Sequence, residues 1–122
     1  MDEELKKAKK QFNEVLSTFL NRMIVGTRSK KIEWTSTNES KFYYTLDEKF
    51  AIEFKIEKND PVHNVYNLKI IQPDISKVNE ISNINSNDGE IYQKANDLYT
   101  EICNNQIQNK KGLMESFLKE LK

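Results

Sequence analysis

Few residues in this chain have side chains able to do bond-making chemistry, and they stand far apart. There is one histidine, His63, and one cysteine, Cys103. A metal site needs several His, Cys or carboxylate ligands converging, and neither residue lies in a ligand-like spacing. His63 follows Pro61 in a polar stretch and reads as a solvated loop residue. Cys103 lies beside an apolar helical stripe, where a small buried hydrophobe is expected and a reactive thiol is not. The tract NINSNDG, residues 83–89, has a passing similarity to a calcium loop. With Gly89 counted as the sixth position, however, position one is Ile84 and position twelve is Ala95, so the ligand pattern fails. The three glycines, Gly26, Gly89 and Gly112, are scattered, whereas a phosphate cradle needs them clustered before a helix. Paired carboxylates such as Asp47 and Glu48, or Glu53 and Glu57, fall in turns or on a wet strand face, where water keeps them ordinary acids. No general acid or base is nominated. The expectation is a non-enzymatic chain without cofactor or metal.

Two other groups of residues could bind without catalysing. Between Lys30 and Glu57 stand Trp34, Phe42, Tyr43, Tyr44, Phe50 and Phe54, and exposed sheet aromatics can stack on nucleic-acid bases. Lys6, Lys7, Lys9 and Lys10, with Arg28, Lys30 and Lys31, make residues 1–31 the basic end: eight basic side chains against four acidic. Residues 32–75 carry five basic and eight acidic. The formal net charge is zero, whereas nucleic-acid binders usually carry a basic excess. Lysine outnumbers arginine 17 to 2, and arginine is the residue that grips phosphate at two points. With the abundance of Asn and Ile, that bias suggests an AT-rich coding genome, as in a bacterium or its phage.

These residues must be positioned by a single domain, since 122 residues is one domain's worth. Leu5, Ala8, Phe12, Val15, Leu16, Phe19, Leu20 and Met23 recur at three- and four-residue steps. They predict one amphipathic helix over 2–25, capped by Gly26 in a left-handed conformation. The period then changes to two. Ile32 and Trp34, then Phe42, Tyr44 and Leu46, then Phe50, Ile52, Phe54 and Ile56, then Tyr66, Leu68 and Ile70 predict four strands of an antiparallel meander with one dry face. The connections are read as 36–41, 47–49 and 58–64. Pro73 and Asp74 end the fourth strand, and a short fifth strand near 78–81 is an open alternative within 74–86. Asn87 and Glu90 suggest a helix start. That helix carries Ile91, Ala95, Leu98 and Ile102 and is expected to break at Gly112, before a last short helix 113–121. The parity of the strands answers the aromatic question. Trp34, Phe42, Tyr44, Phe50 and Phe54 share the aliphatic face and belong to the core, while Tyr43 falls with Thr45 on the wet face.

The segments GTRSKKIEW, KFYYTL, FAIEFKI, YNLKI and ANDLY resemble a set of small bacterial proteins of unassigned function, over roughly Gly26 to Leu121. The resemblance implies an α–β-meander–α fold and no activity, and it carries over no functional residues. The fold expected is α+β, with an N-terminal helix, a four-stranded or five-stranded antiparallel meander, and C-terminal helices packed on one sheet face. No apolar run approaches the roughly 20 residues of a membrane span, and the opening MDEELKKAKKQF, acidic and then basic without an apolar stretch, is not expected to act as a secretory signal. The lone cysteine fits a reducing cytoplasm. The function expected is binding to a larger protein, of the immunity, inhibitor or defence-accessory kind, or to a second copy. Its candidate contacts are Tyr43, Thr45 and Lys55, with the lysines and Arg28 of the basic end. Nucleic-acid or nucleotide binding through that basic end is the alternative.

Overall fold

The computed structural model describes residues 2–58 and 63–121. Helix α1 runs Asp2–Arg28, followed by five strands: β1 Thr35–Asn38, β2 Lys41–Thr45, β3 Ala51–Lys58, β4 Asn64–Gln72 and β5 Lys77–Ile84. Helix α2, Glu90–Glu120, closes the chain. Each strand pairs antiparallel with the next, giving a five-stranded sheet in sequence order. The fold is the expected α+β arrangement, and the fifth strand is real.

The register explains why the fifth strand was hard to read. Phe42, Phe54 and Leu68 pair across β2, β3 and β4, and Ile56, Tyr66 and Ile84 pair across β3, β4 and β5. These rows face the helices. A bulge in the β4–β5 pairing at Leu68/Lys69 then breaks the alternation. Ile84 lies opposite buried Tyr66, whereas Val78 lies opposite Ile71 and is largely exposed. A strand that changes face part-way along cannot keep a two-residue period.

The core joins the dry sheet face to one stretch of each helix. Phe42, Phe54, Tyr66 and Leu68 from the sheet are buried against Leu16, Leu20, Met23 and Ile24 of α1 and against Ala95, Leu98 and Ile102 of α2. Phe54 stacks on Tyr66 with ring centroids 5.3 Å apart, and Phe42 meets Tyr99 at 6.2 Å. The two helices run parallel: Ser17 meets Lys94, and further along both helices Thr27 meets Asn105.

Several local expectations change. Helix α1 does not stop at Gly26; it continues to Arg28, and Lys30 takes the left-handed conformation (φ 64). Gly26 serves close packing instead. A Cβ there would stand 2.8 Å from Ile32 Cγ1 and closer still to its Cδ1. Trp34 precedes β1, so the segment read as the first connection is itself strand up to Asn38. Leu46 and Phe50, expected on the dry face, lie at the β2–β3 turn beyond the reach of the helices and are largely exposed. There Asp47 Oδ1 accepts from the Lys49 and Phe50 amides and fixes the turn. The connection read as 58–64 falls outside the described residues for 59–62, and His63 is exposed just before β4. The cap expected from Asn87 and Glu90 does not form: the N-cap of α2 is Gly89, with no side-chain hydrogen bond, and the capping box present, Asn85 with Asp88, belongs to the short 3₁₀ turn Ser86–Asp88 before it. Gly112 does not break α2, which is one helix of 31 residues.

Candidate functional site

The two helices are longer than the sheet they cover. At 1.5 Å per residue, α1 and α2 extend about 40 and 46 Å. Every residue of 2–15 in α1 and every residue of 107–120 in α2, with the C-cap Leu121, is exposed. Because the helices are parallel and staggered, these overhangs leave the body at opposite ends. Each keeps the amphipathic pattern it would need if something covered it. Beyond Gly112 the exposed apolar set is Leu113 (72%), Met114 (62%), Phe117 (64%), Leu118 (63%) and the C-cap Leu121 (61%), and Ile107, more than one turn before the glycine, is exposed as well. Spacings of one, three and four residues gather these five on one side of the helix. Polar Lys110, Lys111, Glu115, Lys119 and Glu120 are interspersed between and around them. Gly112 lies inside this helix with no atom near the position of a Cβ.

Sequence reasoning did identify the apolar side chains of 113–121. Their exposure was missed, because the expected break at Gly112 allowed a short helix to fold back on the sheet. A mid-helix glycine costs only about 1 kcal/mol, too little to end a helix that is favoured elsewhere along its length.

The expected basic end comes apart in space. Lys6, Lys7, Lys9 and Lys10 belong to the free part of α1, while Arg28, Lys30 and Lys31 lie at its other end, about 30 Å away by helical rise. The first group borders an open recess of about 740 Å³. In it Lys6, Lys9 and Lys10 share the lining with three carboxylates, Glu14, Asp88 and Glu90. In the second group, Arg28 Nε donates to Glu101 Oε1 at 3.0 Å. Lys30 borders a cleft of about 210 Å³ with Glu33, Trp34 and Asn105, below the roughly 300 Å³ at which small-molecule pockets begin. A polar chain anchors this end. Trp34 Nε1–H donates to Thr27 Oγ1 (2.9 Å), whose own hydroxyl donates to the Met23 carbonyl (2.6 Å). The Asn105 amide donates to the Thr27 carbonyl.

The wet sheet face carries the rest of the expected contacts. Tyr43 is half-buried there and hydrogen-bonded to Glu53. That bond, then partial burial and the carboxylate's charge, raises its pKa above the ordinary tyrosine value. Glu53 Oε2 accepts no hydrogen bond but faces Lys69 Nζ at 3.4 Å, so the carboxylate is compensated by a cation. Asn67 donates to Asn83 Oδ1 at 2.6 Å and keeps its own oxygen unpartnered. Lys55 pairs with Glu57 at 3.0 Å, and Thr45 is exposed. Tyr43, Thr45 and Lys55 therefore share one face, while the lysines and Arg28 lie elsewhere. Tyr43 is tied into a polar lattice and is less free than parity alone implied.

Among the described residues no group of three or more His, Cys, Asp or Glu is placed to hold a metal ion, and no helix is long and apolar enough to cross a membrane. Cys103 is half-buried and hydrogen-bonded with Tyr99, whose pKa is pushed up to about 12, first by burial and then by that bond. Compared with protein-family models, with curated proteins and with solved structures, the chain matches none.

Proposed function

We propose that this protein is a non-enzymatic interaction module that binds and regulates or stabilises a larger protein, and that it does so chiefly through the free C-terminal half of α2. One observation carries the reading: five large apolar side chains on one helix face, each more than 60% exposed. Scattered exposed hydrophobes are ordinary, whereas a contiguous apolar stripe on a helix marks an interaction surface. The mode that fits is a helix laid into an apolar groove, with anchors at steps of three and four residues. Phe117 is the central aromatic and the expected hot spot. The wet-face residues Tyr43, Thr45 and Lys55 become secondary contacts in this reading.

The test is co-purification from the source cell with variant chains. A protein retained by the wild type and by Tyr43→Ala, but lost from Phe117→Asp at unchanged melting temperature, supports the assignment. Equal retention by Phe117→Asp sinks it. The alternative of nucleic-acid binding along Lys6, Lys7, Lys9 and Lys10 makes a different demand: affinity must fall steeply with salt as counterions are released. Tight binding of random single strands with that salt slope would replace the present reading.

A further inference from the structure

We propose that the N-terminal half of α1 is a self-association seam, occupied by the same segment of a second copy in a short, parallel, two-stranded coiled coil. Leu5, Ala8, Phe12 and Val15 follow steps of three, four and three, the seven-residue repeat that holds one seam against a partner helix. Leu5 (57%), Phe12 (45%) and Val15 (69%) are exposed, as is every residue from 2 to 15. Helical stretches of this length draw most of their stability from a packed apolar face, and in a single copy the body borders only one edge of this one, at the recess shared with Asp88 and Glu90. The seam also ends where the body begins. Phe19, the next residue of the repeat, is partly buried against the core, and Leu16 beside it is fully inside.

Charge decides both the occupant and its direction. Glu4 and Lys9 flank the apolar repeat on opposite sides, five residues apart. In a parallel pair, the flank of one helix meets the flank five residues on in the other, so Glu4 faces Lys9 of the second copy, twice per dimer. An antiparallel pair sets like flanks together. Glu4 would then meet only Gln11, Thr18 or another Glu4, and Lys9 would meet Leu16 or another Lys9. In the free half of α2, Ile107, Met114 and Leu121 also stand seven apart, but Lys110 occupies the companion line that leads to Phe117 and interrupts the repeat there. The seam thus leaves α2 available, and a dimer would present two α2 overhangs to a target. This assignment concerns a different surface from the proposed target site and does not rest on it.

The experiment is sedimentation equilibrium of the full chain over a concentration series, with variants. The expected result is a concentration-dependent dimer in the micromolar range. Phe12→Glu should raise its dissociation constant about 100-fold or more, because two unpaired carboxylates would meet in an apolar layer, while the near-ultraviolet circular dichroism of the packed body stays unchanged. Leu5→Glu, further from the body, gives the same reading should Phe12→Glu disturb the fold. Phe117→Glu should leave the dimer intact. Glu4→Lys should weaken it, and adding Lys9→Glu should restore it. In a Cys103→Ala background, Ala8→Cys should oxidise to a disulfide-linked dimer, as only parallel pairing brings those positions together. A chain monomeric at every concentration up to its solubility overturns the proposal. So does a dimer lost with Phe117→Glu and indifferent to Phe12→Glu and Leu5→Glu. Absence of the Ala8→Cys crosslink, or of the charge-swap rescue, overturns the parallel arrangement.

Discussion

Helix α2 is two helices in energetic terms, joined without a break. Its first half places Tyr92, Ala95, Leu98 and Ile102 in the core, each at most 9% exposed. Its second half carries Leu113, Met114, Phe117, Leu118 and Leu121, all more than 60% exposed. The two sets are alike in chemistry and in helical spacing. What separates them is the sheet, which lies under the first half and not under the second. An amphipathic pattern states that a face needs cover; it does not state whether the cover comes from the same chain.

Substitutions can break or sharpen that contrast, and the largest effect belongs to the body. Phe54→Asp should unfold the domain, because the side chain is fully buried against Tyr66 and Trp34 and an ionised carboxylate there has no partner. Its neighbour on the wet face gives the control. Lys55→Asp should stay within about 1 kcal/mol, and equal losses of thermal stability would mean that the faces are assigned wrongly.

Next in size is a matched pair on α2. Leu98→Ala should cost about 2–5 kcal/mol, the range for a leucine removed from a packed core. Leu118→Ala should fall within about 0.5 kcal/mol, as for an exposed position. Denaturant titration of both variants measures the difference directly. A large loss at Leu118 would mean that the overhang is already covered in the free protein.

The glycines repeat the contrast with opposite signs. Gly26→Ala should destabilise by about 1–3 kcal/mol, since the added methyl would press into Ile32 in a filled site. Gly112→Ala should stabilise by about 0.5–1 kcal/mol, because open space surrounds a helical backbone that alanine restricts. Two destabilising results would place Gly112 against a neighbour.

The smallest effect is a pH dependence confined to the body. Tyr66 and Tyr99 have pKa values raised by burial, Tyr99 to about 12. In the unfolded chain they ionise near pH 10. Above that pH the unfolded state has lost protons that the folded state still holds, so stability falls as pH rises from about 10 toward 12. Below pH 10 these groups contribute no slope. Melting temperatures measured across that window should decline less steeply in Tyr99→Phe than in the wild type, and identical slopes would remove Tyr99 as a cause.

Much of the body was legible from local signals. Alternation in residues 42–56 and 66–70 fixed the strands and the buried identity of Phe42, Phe54 and Tyr66, because a strand with one dry face must alternate. The three-and-four spacing of Leu16, Leu20 and Met23 fixed the face that α1 turns to the sheet. Tertiary structure alone decided where each helix stops being covered. The reach of the sheet depends on strand length and on the bulge at Leu68/Lys69, which come from the pairing of neighbouring strands and not from the pattern within any one of them. The separation of Lys6–Lys10 from Arg28–Lys31, about 30 Å by helical rise, in contrast already follows from the helix predicted over 2–25. Sequence periodicity reports the direction of a side chain around its own axis. Whether anything waits in that direction is a property of the other elements.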